Sequence, residues 1–172
     1  MKSSKPVVWV WAVIAVAATS AYGTPWTWTN LDYPGAEDTQ AWGISGNNVV
    51  GQYWDSNSNN AHGFLYNGTT WTSLDYPGAS DTWVSGISGN NIVGQHSDSS
   101  SSHGFLYDGA TWTSLDYPGV SGDTRATGIS GNNIVGNHYG VSGYHGFLLT
   151  IPEPATLSLL AFGGLAMMRR RR

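Results

Sequence analysis

Three residue types that could do chemistry recur at fixed places along the chain. His62, His103 and His145 each open a His-Gly-Phe-Leu segment. Asp32, Asp75 and Asp116 each open Asp-Tyr-Pro-Gly, and Trp28, Trp71 and Trp112 each stand four residues before those aspartates. Three histidines brought together could hold a metal with one position open, and paired carboxylates could hydrolyse a glycoside. Convergence is the obstacle to both. An active site gathers unlike residues at one place, whereas residues that recur three times at equivalent positions answer first to the demands of a repeated unit. The aspartates are therefore expected to bond backbone amides of their own turns, and the histidines a backbone group at the start of their strands.

Other catalytic patterns are missing. The absence of cysteine removes a thiolate nucleophile, a disulfide framework and a cysteine zinc site. No Gly-x-Ser-x-Gly elbow and no glycine-rich phosphate loop occur. Asp55-Ser-Asn57-Ser-Asn59 starts like a calcium loop, but its sixth position is Asn60 rather than glycine and its twelfth is Tyr66 rather than glutamate. No catalytic residue, metal ligand or cofactor is assigned, and the protein is not expected to be an enzyme. Tryptophan is the residue type left with a binding role. Trp28, Trp71 and Trp112 repeat and are expected to pack the core, whereas Trp42, Trp54 and Trp83 differ between copies and are the candidates for stacking on sugar rings.

The elements that must position these residues belong to one unit used three times. Gly-Ile-Ser-Gly-Asn-Asn-(Val/Ile)-Val-Gly occurs at 43–51, 86–94 and 128–136, a spacing of 43 and then 42 residues. With 23 glycines, 9 tryptophans, 9 tyrosines and 10% charged residues, the chain favours short strands and tight turns over helices. Asn67-Gly68 and Asp108-Gly109 suit two-residue hairpin turns that join His-Gly-Phe-Leu-Tyr to Thr-Trp-Thr-Ser-Leu. A second hairpin turns through Ser88-Gly-Asn-Asn91. Each unit thus holds about four short strands, with units near 24–69, 70–110 and 111–150. The polar stretches 55–60 and 97–102, and Tyr139–Gly143 in the third copy, read as exposed loop tips. The first copy lacks a leading His-Gly-Phe-Leu strand and the last ends on one, so strand 145–150 is expected to close on 26–33. The fold class is all-β, a closed propeller-like ring with β-prism-like or β-trefoil-like rings as alternatives.

Both ends read as addresses rather than as parts of this domain. Lys2 and Lys5, an apolar run from Val7 to Ala18 and the small-residue stretch 18–23 form the three-part layout of a signal peptide over residues 1–23. The twelve-residue run covers about 18 Å as a helix, short of the ~30 Å hydrocarbon core. Residues 151–172 run through Pro152-Glu153-Pro154, fourteen largely apolar residues and Arg169, Arg170, Arg171 and Arg172. Prolines hold the chain extended, the apolar stretch partitions into a bilayer as a hydrophobic helix, and arginines stay on the cytoplasmic side. Between residues 24 and 150, Arg125 faces ten acidic residues, a balance that repels nucleic acid.

The tail resembles a PEP-CTERM sorting signal, the substrate of exosortase. That resemblance implies export by a Gram-negative bacterium, usually one that makes exopolysaccharide, with Pro152, Glu153 and Pro154 as the recognition motif. It also implies a precursor inserted in the membrane through its tail, which an exosortase-like enzyme removes during delivery to the cell surface. The repeat, quoted as His103-Gly-Phe-Leu-Tyr-Asp-Gly-Ala-Thr-Trp-Thr-Ser-Leu followed by Gly128-Ile-Ser-Gly-Asn-Asn-Ile-Val-Gly136, resembles HAF-type extracellular bacterial repeats, whose copies look like propeller blades. The expectation is an exported surface or matrix protein acting as a structural or interaction module. The alternative is a lectin-like module for exopolysaccharide, with weak sites strengthened by multivalency.

Overall fold

The computed structural model describes residues 26–56, 60–98, 101–120 and 123–152. Residues 26–30, the described part of a first compact unit, carry no regular structure and are exposed. The second unit, from Leu31 onward, holds every strand found among the described residues. The hydrophobic helices expected at the two termini lie outside the described residues, among which no helix is long and apolar enough to cross a membrane.

The strands form three antiparallel sheets in chain order. Sheet 1 contains β1 (Ala36–Ser45), β2 (Asn48–Asp55), β3 (Ala61–Tyr66) and β4 (Trp71–Leu74); sheet 2 contains β5 (Asp81–Ser88), β6 (Asn91–Ser97), β7 (Ser102–Tyr107) and β8 (Trp112–Leu115). Sheet 3 has only β9 (Thr124–Ser130), β10 (Asn133–Gly140) and β11 (Gly143–Thr150). The Gly-Asn turns form as expected, because Gly46, Gly89 and Gly131 all take φ near 60° and let Ser45, Ser88 and Ser130 pair directly with Asn48, Asn91 and Asn133. The β3–β4 and β7–β8 turns sit one residue later than the Asn-Gly and Asp-Gly pairs. The Asn67 N–H donates to Thr70 O while its side-chain oxygen accepts from the amides of Thr69 and Thr70, and Asp108 does the same for Ala110 and Thr111. In the third copy the expected loop tip is mostly strand, since Gly140 pairs with Gly143 around a two-residue turn.

Packing follows from small residues at the sheet contacts. A Cβ on Gly43 would lie 3.2 Å from the Cα of Gly86, so glycine lets β1 and β5 approach at a spacing that a side chain would crowd. Beside each such glycine the ladder slips by one residue, at Ala41/Gly43 in sheet 1 and Val84/Gly86 in sheet 2. Successive sheets are tied through the turns: Ser45 Oγ accepts from the Gly89 N–H at 3.1 Å, and Ser88 Oγ from the Gly131 N–H at 3.0 Å. Val50 and Leu74 of sheet 1 meet Val84, Ile87, Ile92 and Phe105 of sheet 2 in one core. A second core joins Val93 of sheet 2 to Ala126 and Ile134 of sheet 3, with Leu106, Leu115 and Ile151 packed against it.

The closed ring expected from the repeat phase is not found. Residues 26–33 form no strand, β11 pairs with β10 alone, and the three sheets pack in series as 1 on 2 and 2 on 3. Face-to-face packing turns each sheet only part of the way round an axis, and rings of this kind use four to eight sheets. Three are too few to bring the last strand back to the first.

Candidate functional site

Every sheet carries a column of three flat rings. Tyr33 stacks on Tyr53 at 3.7 Å between centroids, and His62 lies beyond at 5.1 Å. In sheet 2 the column is Tyr76, His96 and His103, at 3.6 and 5.3 Å, and in sheet 3 it is Tyr117, His138 and His145, at 3.8 and 5.5 Å. The outer tyrosine comes from Asp-Tyr-Pro-Gly, the middle ring from β2, β6 or β10, and the histidine from β3, β7 or β11. A middle position that accepts tyrosine or histidine asks for a flat ring to stack on. No spacing rule relates residues on these three segments, so sequence reasoning missed the columns.

The tyrosine is held in a way that corrects the role expected for aspartate. Its backbone N–H donates to a threonine hydroxyl, Thr39 for Tyr33 at 3.0 Å, Thr82 for Tyr76 at 2.9 Å and Thr124 for Tyr117 at 3.1 Å. Asp75 and Asp116 turn instead to histidine. One carboxylate oxygen of each bonds Nδ1 of His62 or His103 at 2.8 Å, and the other accepts from Ser73 or Ser114. A second carboxylate, Asp55 or Asp98, stands 3.5 or 3.4 Å from Nε2. The histidines thus bind carboxylates rather than backbone groups, each within its own sheet. The signal for it was the recurrence of His and Asp thirteen residues apart in both complete copies. His145 keeps only a contact of Nε2 with Ser142 at 3.0 Å, because no further Asp-Tyr-Pro-Gly follows it, and among the described residues no carboxylate reaches it.

These surroundings set the protonation of sheet 2. The bond to Asp116 raises the His103 pKa against the opposing effect of burial. Burial lowers that of His96, helped by repulsion from His103. Among the described residues neither His96 nitrogen has a hydrogen-bond partner, and the ring is stacked between Tyr76 and His103. Its counterpart Tyr53 is pushed up to about 12 by burial.

Ser101, His103 and Asp116 line up like a nucleophile, base and orienting acid, with Ser101 Oγ 2.9 Å from Nε2. The Ser101 N–H donates to the Asp98 carboxylate at 3.0 Å, so this amide is engaged at the loop end. Among the described residues no cluster of three metal-ligating side chains forms.

The tryptophans divide differently from expectation. Trp71 and Trp112 pack edge-on against Phe64 and Phe105 at 5.0 Å, but Trp28 is 93% exposed. Trp42 on β1 is exposed, whereas Trp54 on β2 and Trp83 on β5 are half-buried, and none of the three stacks on another ring among the described residues. Arg125, at the position equivalent to Trp83, bonds Asp123 at 2.9 Å and lies 5.4 Å over the Tyr144 ring. A cavity of about 300 Å³ opens at the end of the sheet series, lined by Tyr117, Pro118, Thr124, Phe147, Leu148 and Leu149.

Of the sorting motif, Pro152 is described and exposed; Glu153, Pro154, Arg169, Arg170, Arg171 and Arg172 lie outside the described residues, as does the signal-peptide segment 1–23. Among the described residues the last backbone hydrogen bond is that of the Ile151 N–H, which donates to Asn132 O at 2.8 Å. The PEP-CTERM protein-sorting motif matches residues 150–172. No curated protein and no solved structure matches the chain. The motif is the recognition signal for exosortase, and it marks an exported, cell-surface protein processed at its C-terminal signal.

Proposed function

We propose that the protein is a structural or interaction module of the bacterial surface, inserted through its tail during export and freed by an exosortase-like enzyme. The sorting motif over residues 150–172 carries this reading. Its placement supports it, because the last backbone hydrogen bond among the described residues is made by Ile151, so a cut beyond Pro152 leaves every described strand and both cores in place. The likeness of the units to HAF-type repeats supports an extracellular setting. A role without catalysis fits histidines and aspartates that satisfy one another in two successive sheets.

Intact mass of the protein recovered from its host tests the reading. The expected species starts near Thr24 and ends near Pro-Glu-Pro; cell-associated protein that retains residues 155–172 would overturn it. A lectin-like reading for exopolysaccharide rests on Trp42, since it alone of the three candidate tryptophans is exposed. A glycan array separates the two, as Trp42→Ala would abolish a sugar signal and leave the processed mass unchanged.

A further inference from the structure

We propose that two copies of this chain complete each other by strand donation, residues 28–31 of one forming the missing fourth strand of sheet 3 in the other. The repeat says what should lie there. In sheets 1 and 2 the fourth strand reads Trp-Thr-Ser-Leu, and Trp28-Thr-Asn-Leu31 is the remaining segment of that pattern. Trp71 sits 5.0 Å from Phe64 and 5.5 Å from Tyr33; Trp112 sits 5.0 Å from Phe105 and 5.4 Å from Tyr76. In sheet 3, Tyr117 and Phe147 hold the same 6.2 Å separation as Tyr76 and Phe105, and the cavity of about 300 Å³ opens beside them. The receiving slot is already formed.

Four further groups point to the same contact. A Cβ on Gly63 or Gly104 would strike the carbonyl of Leu74 or Leu115 on the fourth strand, at 2.6 or 2.7 Å, whereas at Gly146 the nearest atom is 3.9 Å away. His145 lacks the carboxylate that His62 and His103 have, and Asp32 is the exposed equivalent of Asp75 and Asp116. Ala61 N–H and Ser102 N–H donate to Asp81 and Asp123 of the next sheet, which sets Tyr144 N–H opposite Asp38 of a second copy. The apolar surface agrees. Val50 and Ile87, buried between sheets 1 and 2, are 0% and 8% exposed, while their equivalents at the free ends, Val135 and Ile44, are 48% and 70% exposed.

Chain connection selects a second copy rather than the same chain. The step from Leu74 to Tyr76, like that from Leu115 to Tyr117, carries the backbone from one sheet to the next. By the same step, the sheet that takes Leu31 must adjoin sheet 1 on the face that exposes Ile44, opposite sheet 2. Among the described residues no sheet lies there. A second copy's sheet 3 fits it, and two copies give six sheets, within the four to eight of closed rings. The exchange is reciprocal about a two-fold axis, residues 28–31 of each copy meeting sheet 3 of the other, and it closes after two copies.

Cysteine-free sequence makes the test direct. By the pairing of Thr72 with Leu65 and Thr113 with Leu106, Thr29 of one copy should face Leu148 of the other. The exported protein carrying T29C is mixed with the exported protein carrying L148C and oxidised. A covalent dimer is expected from the mixture and not from either variant alone. Native mass should read two chains, W28A should halve it, and W26A should leave it unchanged. An internally bridged single chain in the double variant, a ladder of higher multimers, or a monomeric mass without any disulfide would each overturn the proposal.

Discussion

Replacing Thr82 by valine tests whether threonine, rather than aspartate, holds the Tyr-Pro-Gly turn. The two side chains have nearly the same shape, so the change removes one acceptor and little volume. Thr82 is 2% exposed and its hydroxyl takes the Tyr76 N–H at 2.9 Å, which loses its protein partner in the variant. An amide left unpaired in a half-buried setting costs about 1–3 kcal/mol. With a urea slope of about 2 kcal/mol/M for a domain of this size, the midpoint should fall by roughly 0.5–1.5 M. Asp75→Asn is the contrasting change. The Asp75 side chain is half exposed, and solvent limits the value of its histidine contact to less than about 1 kcal/mol. Tryptophan fluorescence of the exported protein follows both transitions. Thr124→Val should resemble T82V, since that hydroxyl is equally buried and accepts the Tyr117 amide. A T82V midpoint equal to wild type, or a larger fall for D75N than for T82V, would refute the assignment.

Two paired changes probe the rest of sheet 2. Because the bond to Asp116 raises the His103 pKa, the stability it contributes is present below the ordinary histidine value of about 6.5 and is lost as pH rises through the folded value. An NMR titration of His103 should therefore move down in D116N, and an unchanged titration would sink this account. His96 has the opposite sign: its lowered pKa gives stability present above about 6.5 and lost as pH falls. H96Y installs the ring that sheet 1 carries at Tyr53, and should narrow the gap between urea midpoints at acid and neutral pH; an equal gap would count against burial as the cause. Among the glycines, G94A places a Cβ against the Trp83 carbonyl and the Phe105 ring and should cost about 3 kcal/mol. G119A meets open space at φ 80° and should cost about 1–2 kcal/mol, so urea midpoints in the reverse order would refute the packing argument.

What could be read from the sequence was whatever lies within one unit. Gly-Asn turns, short strands and the four-strand count depend on residues a few places apart, and the structure forms the turns in all three sheets and four strands in sheets 1 and 2. The Ser-Gly-Asn-Asn hairpins turn where Gly46, Gly89 and Gly131 need positive φ. What escaped depends on distances between segments. Threonine, not aspartate, caps the Tyr-Pro-Gly turn because the chain reverses and brings Thr82 back onto Tyr76, six residues away. The carboxylate freed from the turn then reaches a histidine thirteen residues upstream, on the neighbouring strand.

The missing closure has the same origin. Complementary ends show that strand 145–150 wants a partner like Trp28-Thr-Asn-Leu31, but sequence phase carries no information on how far each sheet turns about an axis. That angle comes from side-chain volume at the sheet contacts, where glycine at 43 and 86 lets β1 and β5 approach closely and Val50 and Ile87 share one core. The same pattern of complementary ends therefore serves one chain or two. The sequence specifies what must meet, and packing decides how many copies are needed to bring it together.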